Sequence, residues 1–215
     1  MAGETFTPKA GLEEHSPLTF CGLCLEQRTE PLKDRGWGKN HLRWCLLASL
    51  PNLAMEAFAS VVGQALASWE AVSGLTFERV ADSRSADIVL DVGKIDGPRG
   101  VLAHSELPPS KPCRQKYDRD EAWGAGIDPV AVVCHELGHA LGLYHGKPSG
   151  ELMSPHYDPA IKAPTPGDVA RIQALYGPPR AVPAPPAVPT GGARFIASFD
   201  AQGRQLSRYE VVRIA

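Results

Sequence analysis

At 215 residues with 43% apolar content, the chain is long enough for one domain with a sizeable core plus appendages. A formal net charge of −2 with dispersed lysine and arginine leaves neither a nucleic-acid nor a membrane-surface footprint. No apolar run approaches the roughly 18 residues needed to span a bilayer.

In chain order, residues 1–15 lack a basic stretch followed by an apolar one, so no signal peptide is visible. Cys21, Cys24, Cys45, Cys113 and Cys134 are odd in number and leave at least one thiol free, which leaves the compartment open. Residues 41–47 read as a strand. Across residues 54–72, Met55, Phe58, Val62, Leu66 and Trp69 recur at helical spacing and predict a long amphipathic helix. Residues 76–80 and 87–92 read as strands. Asp128 and Pro129 supply an N-cap acid and a proline at the first position of a second helix. Thr165-Pro166-Gly167-Asp168 repeats that cap before a last helix ending at Gly177. Residues 178–192 are proline-rich and predict an extended, semi-rigid linker. Residues 194–214 alternate around Asp200-Ala201-Gln202-Gly203, as a β-hairpin does; a lone hairpin is marginal in water, so it is expected to dock or to pair with another chain.

The second helix carries the chemistry. Residues 135–145 read His-Glu-Leu-Gly-His-Ala-Leu-Gly-Leu-Tyr-His, the pattern H-E-x-x-H-x-x-G-x-x-H. With about 3.6 residues per turn, His135 and His139 share one helix face, so both imidazoles can reach one ion. Glu136 projects from the same turn towards a water on that ion. Gly142 can take the left-handed conformation that ends a helix and turns the chain back. His145 then supplies a third nitrogen. Three imidazoles and one open position are the ligand set of a catalytic zinc; structural zinc sites are closed by four protein ligands. Chance would produce these five fixed residues about once in 10⁴ to 10⁵ chains of this composition. The pattern is the metzincin zinc-protease signature. Met153, eight residues beyond His145 and followed by Ser-Pro-His-Tyr, stands where a metzincin has its Met-turn beneath the metal.

From Trp37 to Leu175-Tyr176-Gly177 the chain resembles the matrixins, the matrix metalloprotease catalytic domains. The likeness includes residues 65–69 (Ala-Leu-Ala-Ser-Trp), 75–77 (Leu-Thr-Phe), 86–88 (Ala-Asp-Ile), 96–98 with 102–104, and 117–123 (Tyr-Asp-Arg-Asp-Glu-Ala-Trp). It implies an α+β fold: a twisted, mostly parallel five-stranded sheet with three helices, the active-site helix followed by the Met-turn. It also implies a domain at 37–177, with a leader or short propeptide at 1–36 and a hairpin tail at 193–215. The implied activity is a zinc endopeptidase acting on protein or peptide, with Glu136 as general base. Residues 101–107 would form the edge strand to which substrate adds. Pro155, His156 and Tyr157 would wall the S1′ pocket, and Ala131 would set its depth. The resemblance implies an extracellular location; oligomeric state is not legible.

Two departures follow. Matrixins hold a structural zinc with an H-x-D pair and two further histidines, but here only His104 matches and Lys116 stands at the third position. One zinc is therefore expected and the second is expected to be absent. Calcium is expected at the side chains of Asp96, Asp118 and Glu121 and the carbonyls of Gly97, Arg99 and Val101; the competing reading is an acidic surface patch. Cys21-Gly22, 16 residues before Trp37, resembles the thiol latch of matrixin propeptides, though the flanking Pro, Arg and Asp are missing. A redox or metal-capturing C-x-x-C with Cys24, or inert thiols, are the alternatives. The other readings of the whole are a catalytically silent binding module and a zinc hydrolase of a small amide.

Overall fold

The computed structural model describes residues 19–21, 33–147, 149–180, 194–199 and 205–211, with side chains over 33–147 and 149–180. The chain divides into two compact units, Met1–Arg180 and Ala181–Ala215. The larger one runs β1 (Thr19–Cys21), β2 (His41–Leu46), α1 (Met55–Glu70), β3 (Thr76–Arg79), β4 (Ile88–Gly93), β5 (Val101–Ser105), β6 (Cys113–Asp118), α2 (Pro129–Ala140) and α3 (Pro166–Tyr176). The smaller holds β7 (Arg194–Phe199) and β8 (Gln205–Val211), paired antiparallel; residues 200–204 between them and residues 181–192 of the expected 178–192 linker lie outside the described residues.

The expected five-stranded sheet is β2 to β6, and β1 adds a short sixth strand at its edge, in the order β1-β5-β6-β4-β2-β3. All pairings are parallel except β5 with β6. The β6 strand was not legible as such because Cys-Arg-Gln-Lys-Tyr-Asp is half charged. Its period-two face of Cys113, Gln115 and Tyr117 is nonetheless buried. Gln115 tolerates burial because its amide oxygen accepts from the Tyr117 hydroxyl at 2.8 Å and its amide nitrogen donates to Ser105 Oγ at 3.3 Å.

The helical periodicity of α1 becomes its buried stripe, with Phe58, Val62, Leu66 and Trp69 inside. That stripe packs on α2, and both helices join the sheet in one core with Leu42, Ile88, Leu90, Leu102, Val133 and Leu137. Trp69 bridges the helices, its indole N–H donating to Cys134 O at 3.0 Å. Removing so large a buried side chain costs about 3–5 kcal/mol. Among the described residues no helix is long and apolar enough to cross a membrane.

Two surroundings of the sheet bear on the site. Residues 33–36, expected in the leader, lie against the domain: Arg35 N donates to Gly142 O at 3.0 Å and Asp34 pairs with Arg171. On the other side, the Asp118 carboxylate ends β6 by accepting from the N–H groups of Ile95, Asp96 and Gly97 at 3.0–3.1 Å and of Asp120 at 2.9 Å. Burial alone would raise its carboxyl, but those four N–H bonds hold it below the ordinary carboxylate value.

Candidate active site

The active-site helix is fixed at both ends and in the middle. Asp128 Oδ1 caps it by accepting from Val130 N at 2.8 Å, and the Asp128 N–H donates to the Tyr157 hydroxyl at 2.8 Å. At the far end the Trp37 indole N–H donates to Ala140 O at 2.8 Å and the Tyr176 hydroxyl to Leu141 O at 2.6 Å. These bonds satisfy carbonyls that a helix C-terminus leaves without partners.

His135 and His139 come from successive turns with ring centroids 4.8 Å apart. Gly142 then reverses the chain at φ +102°, and a Cβ there would sit 2.1 Å from the backbone oxygen of Arg35, so glycine is required twice over. The reversal brings His145 Nε2 to 3.2 Å from His139 Nε2. The ligand atoms of the three histidines all lie within 4.8 Å of one another. Among the described residues no other group of three His, Cys, Asp or Glu side chains converges so.

The donor set fits a zinc ion. His135 Nδ1 lies 2.7 Å from Leu152 O and His139 Nδ1 lies 2.7 Å from Leu143 O. A carbonyl can only accept, so each Nδ1 carries the proton and each Nε2 offers its lone pair. Burial, reinforced by the neighbouring His145 charge, lowers His135 to about 3. Burial, with Arg171 and His156 nearby, lowers His145 to about 4. His139 is likewise pushed far down by burial and by the other two rings. All three are neutral at neutral pH, the form in which imidazole can ligate a metal. Glu136 is wholly buried in the same turn as the first ligand. Its charge adds to burial in pushing the Tyr117 phenol up.

Met153 is buried against the active-site helix, where a Cβ on Gly138 would lie 2.2 Å from its sulfur. Gly138 was therefore missed as a site residue: a glycine inside a helix carries no chemical label. Asp168 was read only as a helix cap. It is fully buried and does more, accepting from Leu152 N at 2.9 Å, Met153 N at 3.3 Å and the Thr165 hydroxyl at 2.7 Å. It ties the Met-turn to α3, and through Leu152 O it reaches His135.

The remaining expected residues are placed as follows. A 310 Å³ cavity beside Tyr157 is lined by Ile127, Asp128, Pro129 and Lys162 among others; Ala131 is fully buried and does not line it. Pro155 is partly buried and His156 exposed. Of the expected calcium ligands, Asp118 binds the loop as above, Glu121 Oε1 accepts from Gly100 N at 2.9 Å, and both Asp96 oxygens accept from Val101 N at 3.1 Å. Gly97 and Arg99 have φ of +100° and +67°. The three carboxylates thus bracket one loop but turn their oxygens to its N–H groups rather than converging on each other. His104 stands opposite Lys116 in the β5–β6 register, and burial together with that ammonium lowers its pKa. Cys45, Cys113 and Cys134 are free and buried, and burial raises the Cys113 thiol to about 12. Cys21 ends β1 opposite Ala103, and Cys24 lies outside the described residues.

The Matrixin family profile matches residues 36–177. Stromelysin-1 of Equus caballus is 39% identical over 164 residues, covering 68% of this chain and 34% of the horse protein. Stromelysin-3 of Mus musculus is 37% identical over 169 residues, 70% of this chain and 33% of the mouse protein. Matrix metalloproteinase-19 of Homo sapiens is 36% identical over 157 residues, 66% of this chain and 30% of the human protein. The site and these likenesses define the class: the chain belongs to the matrixin family of zinc metalloendopeptidases. It spans about a third of the length of the curated relatives it matches.

The two demands on Gly142 can be separated. Gly142→Ala should lower the melting temperature clearly more than Gly150→Ala, because Gly150 also has a positive φ (+78°) but open space at its Cβ. Left-handed strain costs about 1–2 kcal/mol at either position, and only Gly142→Ala adds a collision with backbone. Calorimetry showing equal losses would refute the close contact with Arg35.

Proposed function

We propose that this chain is an endopeptidase that holds one zinc at His135, His139 and His145 and uses Glu136 to move the proton. The observation that carries the reading is the convergence of three neutral imidazoles, two with the proton held on Nδ1 and the lone pair therefore on Nε2, beside a buried carboxylate in the same helical turn. Zinc bound there supplies Lewis acidity and brings a water's pKa towards neutrality. The Glu136 carboxylate accepts the proton from the attacking water and returns it to the leaving amine nitrogen. The low-dielectric site strengthens that exchange, since Glu136 is shielded from bulk water. Glu136→Ala should retain one zinc per chain by elemental analysis and lose at least about 10²-fold in peptide hydrolysis, the lower end of general acid–base effects. Undiminished turnover would sink the mechanism, and two tightly bound zinc ions would sink the single-metal reading.

Latency through the N-terminal segment belongs to the same reading. The outer edge of β5 is where an extended substrate would add by main-chain pairing. In this structure β1 already pairs there in parallel, Thr19 opposite Val101 and Cys21 opposite Ala103. One edge pairs with one strand, so β1 and substrate compete. A Cys21 thiolate would reinforce the block by taking the zinc position that the water needs. The full chain should hydrolyse peptides slowly, while removal of residues 1–33 or Cys21→Ser should release activity and Cys24→Ser should not. Full activity in the intact chain would make Cys21 a bystander.

Calcium is proposed at the loop bracketed by Asp96, Asp118 and Glu121, a set of hard oxygen donors. Asp118→Ala strips a fully buried carboxylate from four N–H groups and should cost at least about 2 kcal/mol. Because the folded carboxyl titrates below the unfolded one, this stabilisation is complete above the ordinary carboxylate value of about 4 and is lost as pH falls through the folded value. The stability gap between wild type and variant should therefore close on acidification. Added calcium should raise the melting temperature of the wild type only; an equal rise in the variant would remove Asp118 from the site.

A further inference from the structure

Two of the three histidines are placed by one helix, but His145 lies beyond its end on a loop and needs other support. The backbone on both sides of it is held. Before it, Tyr144 N donates to Asp34 Oδ1 at 2.9 Å, and Tyr144 O accepts from Arg171 Nη2 at 2.7 Å. Asp34 and Arg171 grip each other at two points, Nε to Oδ2 at 2.7 Å and Nη2 to Oδ1 at 2.6 Å. After it, Gly146 N donates to Met153 O at 2.7 Å. A Cβ on Gly146 would stand 3.0 Å from Arg171 Nη1, so the guanidinium also lies beside the residue that follows the histidine. Asp34 lies 110 residues before Tyr144 and two before the region matched by the family profile.

We propose that Asp34 and Arg171 form a positioning pair for His145, clamping the backbone N–H and C=O of Tyr144 and so setting where the third imidazole points. The proposal rests on the zinc reading above. The bidentate geometry matters: a planar fork fixes direction as well as distance, which a single ammonium does not. Arg171 comes from α3 and Asp34 from the segment preceding β2, so the clamp ties the third ligand to both ends of the domain. One consequence is that the catalytic unit begins at Asp34 rather than at Trp37, and a cut that frees the β5 edge has to fall before residue 34.

The test uses the full chain. Zinc affinity is measured by chelator competition for the wild type, Asp34→Asn, Arg171→Lys and the double variant, with Lys147→Gln as a control at an exposed lysine in the same loop. The visible spectrum of each cobalt-substituted protein reports ligand geometry independently of turnover. Asp34→Asn and Arg171→Lys should each weaken zinc about 10- to 100-fold, as loss of groups that orient metal ligands does. Both should shift the cobalt bands, and the double variant should be little worse than either single one. Asp34→Glu, which keeps the charge and both oxygens, should recover part of the loss. Tight zinc in the wild type with unchanged affinity and spectra in folded variants overturns the clamp alone. Failure of the wild type to bind zinc overturns the zinc reading and the clamp with it. Should Asp34→Asn melt below the assay temperature, Arg171→Lys still decides, since unaltered cobalt bands in that variant refute the role.

Discussion

Everything at this site depends on three imidazoles being brought together while neutral, His135 and His139 fully buried and His145 half-buried. Burial pushes all three below the ordinary histidine pKa, aided by a neighbouring ring of the cluster for His135 and His139 and by Arg171 and His156 for His145. Neutrality alone does not make a ligand, because a neutral imidazole still has two tautomers. The Leu152 and Leu143 carbonyls decide that for His135 and His139 by accepting from Nδ1. The surrounding structure follows from the need to put those carbonyls in place. Asp168 holds Leu152 and Met153 from α3, and Gly142 turns the chain so that Leu143 N reaches Gly138 O at 2.9 Å.

The same logic explains why the helix is so heavily braced. Its partners are Trp37 at the C-terminal end, Trp69 in the middle and Tyr157 at the N-terminal cap, drawn from widely separated parts of the chain. Each is an aromatic residue whose polar tip reaches one backbone group while its ring packs in or against the core. A metal site needs its ligands within tenths of an ångström, and a helix free to slide or fray at Ala140 would lose the spacing between His139 and His145.

How much was legible beforehand varied with the range of the interaction. The helix of residues 129–140, its Asp128-Pro129 start, the Gly142 reversal and the converging histidines were all readable, because each is a local matter of periodicity, capping and turn geometry. Gly138 and Asp168 were not readable as site residues. One works by lacking a Cβ against Met153, the other by burying a carboxylate under a loop, and nothing in their neighbours announces either. The β6 strand was obscured because a buried glutamine counts as polar in any pattern, although its hydrogen bonds make it an interior residue.

By itself, the sequence determined the fold class and the three histidines that come together, since spacing along a helix dictates which side chains share a face. Only the tertiary structure decided that residues 33–36 belong with the domain, that Arg171 and Asp34 meet across 137 residues, and that β1 lies on the edge of β5. These are contacts between segments far apart in the chain, and their geometry is set by how the sheet and helices pack. Local propensity carries no record of which distant carboxylate a given arginine will find. The loop bracketed by Asp96, Asp118 and Glu121 makes the same point: the acidic residues are plain in the sequence, but only packing shows Asp118 spent on four N–H groups.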